Sequence, residues 1–285
     1  MGIKSVLVVG LGQMGRGILE VCAQAGMKAY GFDVSADSIK NAMGFIEKDL
    51  EKKVAKGKIP AQTKAQVLEN IAIVDRIEQA RHVDLAIEAV FEDMAVKTEV
   101  FKQLDAVLQP EAIIASNTSA LPATPMAAAT KRPDKFIIIH FHQPPTVMRL
   151  VEVVRALQTS DETAEVARDF CKGIDKDAVD IRVDCPGFLT NRTLLPALNE
   201  AIYALYEGVA TKEDIDLAHK SGLNWPMGPL ALCDFIGLDT LLHILEYLHD
   251  RRGGDKYLPC PLLRNLVAAG HLGVKSKKGF FDYGN

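Results

Sequence analysis

The sequence has few of the features that mark secreted, membrane-bound or nucleic-acid-binding proteins. Its five cysteines are an odd number without a C-x-x-C pair, which indicates reduced cytosolic thiols and no disulfide framework. No apolar run is long enough to cross a bilayer. The first strand-like run, residues 3–9, begins too early to leave room for a signal or transit peptide. The net charge of -4 gives no global attraction to nucleic acid or to an anionic membrane. We therefore expect a cytoplasmic protein with neither of these partners.

The chain does contain enough apolar material for two packed domains, because 48% of its 285 residues are hydrophobic and 25% are charged. Apolar runs of strand length alternate with helix-length segments in its first part, which indicates a parallel sheet covered on both faces. Residues 35–70 lack a strand signal and predict two helices broken near residues 57–60. The predicted strands are 6–9, 29–32, 71–74, 85–90, 112–115, 136–139, 150–154 and 178–183.

The pattern changes after residues 184–187, Asp-Cys-Pro-Gly. From Phe188 onward the periodicity is helical, with apolar residues three and four apart on one face. Thr211, with Asp214 three residues later, predicts a helix start. We therefore place a domain boundary near residue 185, between a domain of residues 1–185 and a helical domain of residues 186–285. The tail, residues 275–285, is expected to pack back on the protein.

The first predicted strand runs directly into a G-x-G-x-x-G loop, and a helical segment follows it. Gly10 makes the tight turn, Gly12 lets the backbone approach a pyrophosphate, and Gly15 lets the helix pack closely on the strand. The helix start offers N–H groups to phosphates. In this context the loop is typical of a Rossmann-type, doubly wound α/β domain with a mostly parallel sheet. An all-α C-terminal domain is predicted to follow.

Asp33 stands at the end of the second predicted strand, where a carboxylate accepts both ribose hydroxyls of the adenosine and repels a 2′-phosphate. Residues 34–37 contain no Arg or Lys to bind that phosphate, so the cofactor is predicted to be NAD and not NADP. A glycine turn beside an ordinary strand-end Asp is the alternative interpretation, and it leaves their spacing unexplained. FAD uses the same loop, but the rest of the chain does not resemble a flavoprotein.

Oxidation of an alcohol with NAD requires a base, and histidine is the natural one near neutral pH. His140 ends an apolar strand at the sheet edge where this fold binds ligands. Glu152 lies inside the next apolar run, where a carboxylate is costly unless it is paired. If the two strands are neighbours, His140 is the partner of Glu152.

With these residues in place, the chain resembles the 3-hydroxyacyl-CoA dehydrogenases, and among them the short bacterial 3-hydroxybutyryl-CoA enzymes. The matching stretches run in the family's order over essentially the whole chain. They are GLGQMGRGI (10–18), EAVFEDMAVK (88–97), SNTSAL (116–121), His-Phe (140–141), MRLVEVV (148–154), CPGFLTNR (185–192), MGPLALCDFIGLD (227–239) and KSKKGFFDY (275–283).

The resemblance implies catalytic and substrate-binding roles. His140 would be the general base in oxidation and the acid in reduction, and Glu152 would orient its imidazole. Ser119 would bond the 3-oxygen of the substrate beside the nicotinamide, and Asn191 would close the site from the helical domain. Lys56 matches a lysine that contacts CoA. Cofactor contacts are implied for Gly10, Gly12, Gln13, Met14, Gly15, Asp33, Glu92, Lys97, Ser119, Gln143 and Lys275.

Several of these residues have an ordinary structural alternative. Strand-end histidines are often structural. Ser119 could cap a helix beginning near Leu121. The lysines of residues 52–58 could form a solvated helix face. The resemblance favours the functional interpretation most strongly for His140 and Glu152.

The chain departs from the family pattern directly after the histidine. The family usually has Phe-Phe-Asn-Pro there, whereas this chain has Phe141, His142, Gln143 and Pro144. Gln143 keeps the amide but adds one methylene, which changes its reach by roughly 1.5 Å. His142 shares a strand face with His140, and the pair could ligate a metal with Glu152. We expect no metal, because the sequence suggests no third neutral ligand and NAD chemistry needs none.

The resulting hypothesis is reversible NAD-dependent oxidation of a short-chain 3-hydroxyacyl-CoA to the 3-oxoacyl-CoA, by a protein that the resemblance implies to be a homodimer. Two alternatives stay open. One is a dehydrogenase of a free hydroxy acid or sugar acid on the same fold, for which the Gln143 departure leaves room. The other is a non-enzymatic dinucleotide-binding protein, which would have no need of a buried base.

Overall fold

The computed structural model describes residues 2–284 and divides them into two compact units, one ending at Cys185 and the other beginning at Pro186. The first unit contains all eight strands and six α-helices, and the second contains five α-helices. Only isolated bridges in the tail add β-structure to the described part of the second unit.

One eight-stranded sheet organises the first unit, in the order β3-β2-β1-β4-β5-β6-β7-β8. Strands β1 to β6 run parallel, β7 is antiparallel to β6, and β8 is parallel to β7. The strands are β1 (Ser5–Val9), β2 (Lys28–Phe32), β3 (Ile71–Ile73), β4 (Leu85–Glu88), β5 (Ile113–Ser116), β6 (Phe136–Phe141), β7 (Leu150–Arg155) and β8 (Asp177–Ile181). All eight predicted strands are present, and the predicted fold class is confirmed.

Helices flank this sheet and make up nearly all of the second unit. In the first unit they are α1 (Gln13–Gln24), α2 (Ala36–Ala55), α3 (Ala61–Asn70), α4 (Met94–Val107), α5 (Ala123–Ala128) and α6 (Asp161–Gly173). In the second they are α7 (Thr190–Tyr206), α8 (Lys212–Leu223), α9 (Pro229–Ile236), α10 (Leu238–Arg252) and α11 (Pro261–Ala268). Short 3₁₀ helices occupy Ile77–Ala80, Pro133–Lys135, Asp255–Tyr257 and Val274–Ser276.

Local sequence explains where several helices begin. Side-chain oxygens of Ser35, Asp93 and Ser160 accept backbone N–H groups in the first turns of α2, α4 and α6. Thr211 does the same for α8, as its spacing to Asp214 predicts. The predicted break near residues 57–60 separates α2 from α3.

The direction of β7 differs from that of the strands before it. Only residues 142–149 connect it to β6. A parallel crossover needs a dozen or more residues, usually with a helix, so a connection this short returns the chain antiparallel. This reversal places the last residues of β6 directly opposite the first half of β7.

Each unit has its own core. In the first, apolar side chains of α1, α2 and α6 pack on the central strands. In the second, α7, α9, α10 and α11 enclose a core that includes Phe280 of the tail. The Asp234 carboxylate accepts the N–H groups of Phe280 and Phe281 and the Tyr283 hydroxyl, so the tail packs back as expected. No helix within residues 2–284 combines the length and the apolar character needed to cross a membrane.

Candidate active site

A cavity of about 920 Å³ opens where β1, β2 and β4 end. This volume lies in the usual range for cofactor sites. Its walls combine the glycine loop, the strand-end carboxylate Asp33 and apolar side chains that follow β2 and β4. Among the residues predicted to contact a dinucleotide, the cavity brings together Gly10, Gly12, Gln13, Met14 and Asp33.

The three loop glycines have distinct structural reasons. Gly10 has a φ of 93°, and a β-carbon there would lie 2.7 Å from the Ala89 carbonyl oxygen. A β-carbon on Gly15 would lie 1.8 Å from the Gly10 carbonyl oxygen, so only glycine permits α1 to pack this closely. At Gly12 a β-carbon would meet nothing within 4 Å, and no side chain caps the start of α1. The loop therefore fits a pyrophosphate that bonds the first N–H groups of α1.

Two hydrogen bonds from backbone N–H groups hold the Asp33 carboxylate beside this loop. Its Oδ2 accepts the Leu11 N–H at 2.7 Å, and its Oδ1 accepts the Ser35 N–H at 2.8 Å. A carboxylate has about four acceptor positions, so two remain for the hydroxyls of a ribose. This arrangement fits the adenosine end of NAD.

His140 and Glu152 lie directly opposite each other in the β6–β7 register. The His140 Nδ1 is 2.8 Å from the Glu152 Oε2, and both residues are buried. When Glu152 is ionised, its carboxylate accepts a hydrogen bond from the protonated Nδ1 of His140. The Nε2 of His140 is then the nitrogen that exchanges a proton with the substrate. The arrangement is that of a general base supported by a carboxylate.

The end of β6 is connected to the segment that follows β5. The Asn117 side-chain oxygen accepts the Phe141 N–H at 2.9 Å, and the Asn117 N–H donates to the Glu88 carbonyl oxygen at the end of β4. The carboxyl ends of β1, β4, β5 and β6 therefore form one edge of the sheet, where this fold binds ligands. His140 lies at the edge that also carries the glycine loop.

A buried ion pair stabilises the same edge. Glu88 accepts Lys97 Nζ at 2.6 Å, Ser116 Oγ at 2.7 Å and the Val90 N–H at 2.7 Å. Burial raises the pKa of Glu88, although Lys97 and the hydrogen bonds oppose the shift. Lys97 Nζ also lies 3.1 Å from the Glu92 carboxylate and is therefore held between two acids.

Glu92 connects this pair to the segment after β5. Its Oε1 accepts the Thr118 hydroxyl and the Ser119 N–H. Burial raises the pKa of Glu92, but Lys97 and the Thr118 hydrogen bond outweigh it and lower the pKa below its usual value. Glu92 is therefore an ionised acceptor that positions the Ser119 backbone.

Comparison with known proteins identifies the family of this chain. The NAD binding domain of 3-hydroxyacyl-CoA dehydrogenase matches residues 5–185, and the C-terminal domain of the same enzyme matches residues 187–283. The chain belongs to the 3-hydroxyacyl-CoA dehydrogenase family. Its N-terminal unit is accordingly an NAD-binding domain.

Individual relatives match over nearly their whole length. The "Probable 3-hydroxybutyryl-CoA dehydrogenase" of Bacillus subtilis is 50% identical, and the match covers 99% of this chain and 98% of that one. The 3-hydroxybutyryl-CoA dehydrogenase of Bradyrhizobium diazoefficiens is 47% identical over 99% of this chain and 96% of its own. The crystal structure of (S)-3-hydroxybutyryl-CoA dehydrogenase from Ralstonia eutropha superimposes with a TM-score of 0.96 at 39% identity and covers both chains completely.

The structural alternative for Ser119 is wrong in this dehydrogenase. Helix α5 begins at Ala123, beyond the expected start near Leu121, and Pro122 occupies its N-cap position. The Asp184 carboxylate accepts the Ala123 and Thr124 N–H groups instead. Asp184 was not singled out in the sequence, because it lies 61 residues from Ala123. Ser119 is half-buried, and its hydroxyl lies 3.5 Å from the Glu92 carboxylate.

His142 follows the end of β6, yet its ring centroid is only 4.9 Å from that of His140, at an interplanar angle of 44°. Burial lowers the pKa of His142, and the nearby His140 adds to this, while Glu152 and a backbone hydrogen bond to Leu150 oppose it. The donor atoms of His140, His142 and Glu152 lie within 4.8 Å of one another, so the structure brings together the three groups that the sequence suggested as metal ligands.

The structure places Lys56, predicted to contact CoA, and Gln143, predicted to contact the cofactor, at the surface of the first unit. Lys56 is exposed at the C-terminal end of α2. Its neighbour Lys53 instead pairs with buried Glu20 at 2.6 Å and with Asp49 at 2.8 Å. An ordinary solvated helix face, the structural alternative for these lysines, therefore accounts for Lys56 but not for Lys53. Gln143 is exposed immediately before Pro144.

Two predicted residues belong to the second unit. Asn191 is half-buried in the first turn of α7. Lys275 lies in the tail, where its Nζ pairs with the Asp239 carboxylate at 2.6 Å. The contacts implied for both residues remain predictions.

Proposed function

We propose that this protein catalyses the reversible NAD-dependent oxidation of a short-chain 3-hydroxyacyl-CoA, with 3-hydroxybutyryl-CoA as the reference substrate. The observation that carries the proposal is the buried His140–Glu152 pair at the sheet edge that also bears the dinucleotide loop. Family membership and the names of the full-length relatives support the same reaction.

His140 and Glu152 account for the movement of the proton. NAD, held by the Gly10–Gly15 loop and Asp33, supplies the hydride acceptor. In oxidation, His140 accepts the proton of the 3-hydroxyl on Nε2, and Glu152 stabilises the imidazolium from the other side of the ring. In reduction the same nitrogen returns the proton to the 3-oxygen.

We assign the substrate contacts by the family resemblance and by location. Ser119 binds the 3-oxygen, because Glu92 orients its backbone at the carboxyl edge of the sheet. Asn191 contacts the substrate, and exposed Lys56 contacts the CoA moiety. Lys97 acts on the cofactor through Glu92, because two carboxylates enclose its ammonium group.

The experiment that tests the reaction follows NADH consumption with acetoacetyl-CoA, using the wild-type protein and His140→Ala. The wild type is expected to turn over, and His140→Ala should lose about 10²–10⁴-fold in kcat, the usual contribution of a positioned acid–base group. NADH binding, measured by fluorescence titration, should survive. A fully active His140→Ala would show that the base is another residue.

The same assay separates the alternatives. Reduction of free acetoacetate by NADH, or oxidation of a sugar acid by NAD with formation of NADH, at rates above those with acetoacetyl-CoA would establish the free-acid dehydrogenase. NADH binding without turnover of any of these substrates would establish the non-enzymatic protein.

The assembly and the cellular role are part of the proposal. We infer a homodimer through the helical unit, which exposes large apolar side chains at Tyr206, Val209, Leu217, Leu223 and Phe235. Sedimentation equilibrium should give twice the chain mass of 31.1 kDa. We further propose a cytoplasmic role in fatty acid metabolism, since the five cysteines form no disulfide among residues 2–284, which suits a reducing compartment.

A further inference from the structure

The segment after β6 adds a second imidazole to the catalytic pair. His140, His142 and Glu152 each offer one ligand atom, and these atoms lie within 4.8 Å of one another. The Nδ1 of His142 is buried and has no hydrogen-bond partner among residues 2–284. A buried nitrogen without a partner is costly in a folded protein, which suggests that it has a ligand.

We propose that His140, His142 and Glu152 form a binding site for a divalent transition-metal ion, best filled by zinc, and that an ion bound there inhibits the dehydrogenase. The inhibition rests on the proposed function, whereas the binding site does not.

The donor set and its spacing fit zinc. Two imidazoles and one carboxylate, with water as the fourth ligand, are a common tetrahedral zinc shell. Ligand bonds of about 2.0–2.2 Å place two donors of such a shell about 3.3 Å apart. The His140 Nδ1 and Glu152 Oε2 are 2.8 Å apart already. The remaining separations, all within 4.8 Å, must close by at most about 1.5 Å, which a rotation of the half-buried His142 ring can supply.

The ion would block catalysis by replacing a proton. Zinc on His140 Nδ1 displaces the proton shared with Glu152, and the ring takes up one proton from solvent on Nε2 in its place, so no proton is gained or lost overall. The neutral ring then carries its only proton on Nε2 and has no lone pair there to accept the proton of the 3-hydroxyl. Glu152, engaged with the metal, no longer supports an imidazolium. Oxidation therefore stops until the ion is removed.

The third ligand departs from the usual family pattern. The family pattern has phenylalanine where this sequence has His142. His142→Phe is therefore a conservative variant, because it restores the usual family residue and removes the ligand together with one backbone hydrogen bond to Leu150. His82→Phe is the matched control, since His82 is an exposed histidine that hydrogen bonds Tyr30.

Metal binding is measured first, without any catalytic assay. Protein stripped with EDTA is titrated with zinc in competition with a chromophoric chelator. We expect about one ion per chain for the wild type and for His82→Phe. His142→Phe should bind at least about tenfold more weakly, as changes around a metal site typically cost 10- to 100-fold in affinity. Cys185→Ser, which changes a half-buried thiol, should bind like the wild type.

Inhibition is measured second, with each variant normalised to its own activity in EDTA. Zinc should inhibit the wild type and EDTA should restore it, while His142→Phe should need at least about tenfold more zinc. Equal zinc affinity for the wild type and His142→Phe would overturn the proposed zinc site. If His142→Phe does not fold, the same comparison is made with His142→Gln. Binding that depends on His142 in a protein inactive with acetoacetyl-CoA would keep the site and reject the proposed function.

Discussion

Glu152→Gln is the most direct test of the proposed catalytic pair, His140 and Glu152, because it removes one charge and changes the shape very little. Glu152 is 1% exposed in the middle of β7, and its Oε2 lies 2.8 Å from the His140 Nδ1. The amide can still accept from Nδ1 and hold the ring in place. What it cannot do is stabilise the positive imidazolium that forms when His140 accepts the substrate proton.

The size of the effect follows from this geometry. Two unit charges about 4 Å apart at an effective dielectric constant of 20 interact by about 4 kcal/mol, which is an upper value. Hydrogen bonds to charged groups contribute about 1.5–3 kcal/mol net. At about 1.4 kcal/mol per factor of ten in rate, kcat should fall about 10- to 10²-fold. Loss of His140 itself should cost more, about 10²–10⁴-fold.

The assay compares kcat for 3-hydroxybutyryl-CoA oxidation, the direction in which the imidazolium forms, among the wild type, Glu152→Gln, His140→Ala and the double variant. Glu165→Gln is the control for the same chemical change, since Glu165 is exposed on α6. Melting temperature and NADH affinity check that each variant is folded. The pH–rate profile of oxidation should also shift in Glu152→Gln, because the imidazolium loses its counter-charge.

Non-additivity gives the decisive outcome. If Glu152 acts only through His140, the double variant should be no slower than His140→Ala alone. A Glu152→Gln enzyme with full kcat, or a double variant in which the two losses multiply, would refute the pairing as a catalytic unit.

Four further results are expected. The protein should have a higher kcat/KM for NADH than for NADPH, because Asp33 repels a 2′-phosphate; a preference for NADPH in steady-state assays would contradict this. Lys56→Glu should raise KM for acetoacetyl-CoA several-fold at low ionic strength with KM for NADH nearly unchanged, and no change there would favour a substrate without CoA. Gln143→Asn should not lower kcat/KM for acetoacetyl-CoA, because it restores the shorter family amide; loss of activity on every acyl-CoA tried would show an indispensable role for the longer side chain. Burial raises the pKa of Glu20 from 4.5 to about 7, so the folded state binds the proton more tightly, and the free energy of unfolding should fall as the pH rises from about 5 to 7. Urea unfolding of Glu20→Gln, which mimics the protonated acid, should show a flatter dependence over that range.

Much of the fold could be predicted from the sequence because the signals are local. Apolar runs of strand length predicted all eight strands, and spacings of three and four predicted the helical second unit. The glycine loop was predictable because a tight turn and a close helix contact each exclude a β-carbon, as Gly10 and Gly15 show. Asp33 followed from its distance to that loop.

Other features could not be predicted because they depend on partners far apart in the chain. The sequence offered a helix cap as the structural alternative for Ser119 and a solvated helix face as the alternative for the lysines of residues 52–58. In the structure, the Asp184 carboxylate caps α5 instead, and Lys53 pairs with the buried Glu20. Neither partner carries a local signal, since a capping or pairing carboxylate looks the same in sequence as any surface acid.

The sequence by itself determined the class of fold, the dinucleotide loop and the identity of the two catalytic candidates. Only the tertiary structure decided that His140 faces Glu152, because the pairing depends on the antiparallel return of β7 and on its register. The buried Glu88–Lys97 pair and the approach of His142 to His140 were likewise decided by tertiary packing. Periodicity and glycine turns arise from steric constraints within a few residues, whereas side-chain pairing across strands depends on strand order, direction and register, which only the assembled sheet defines.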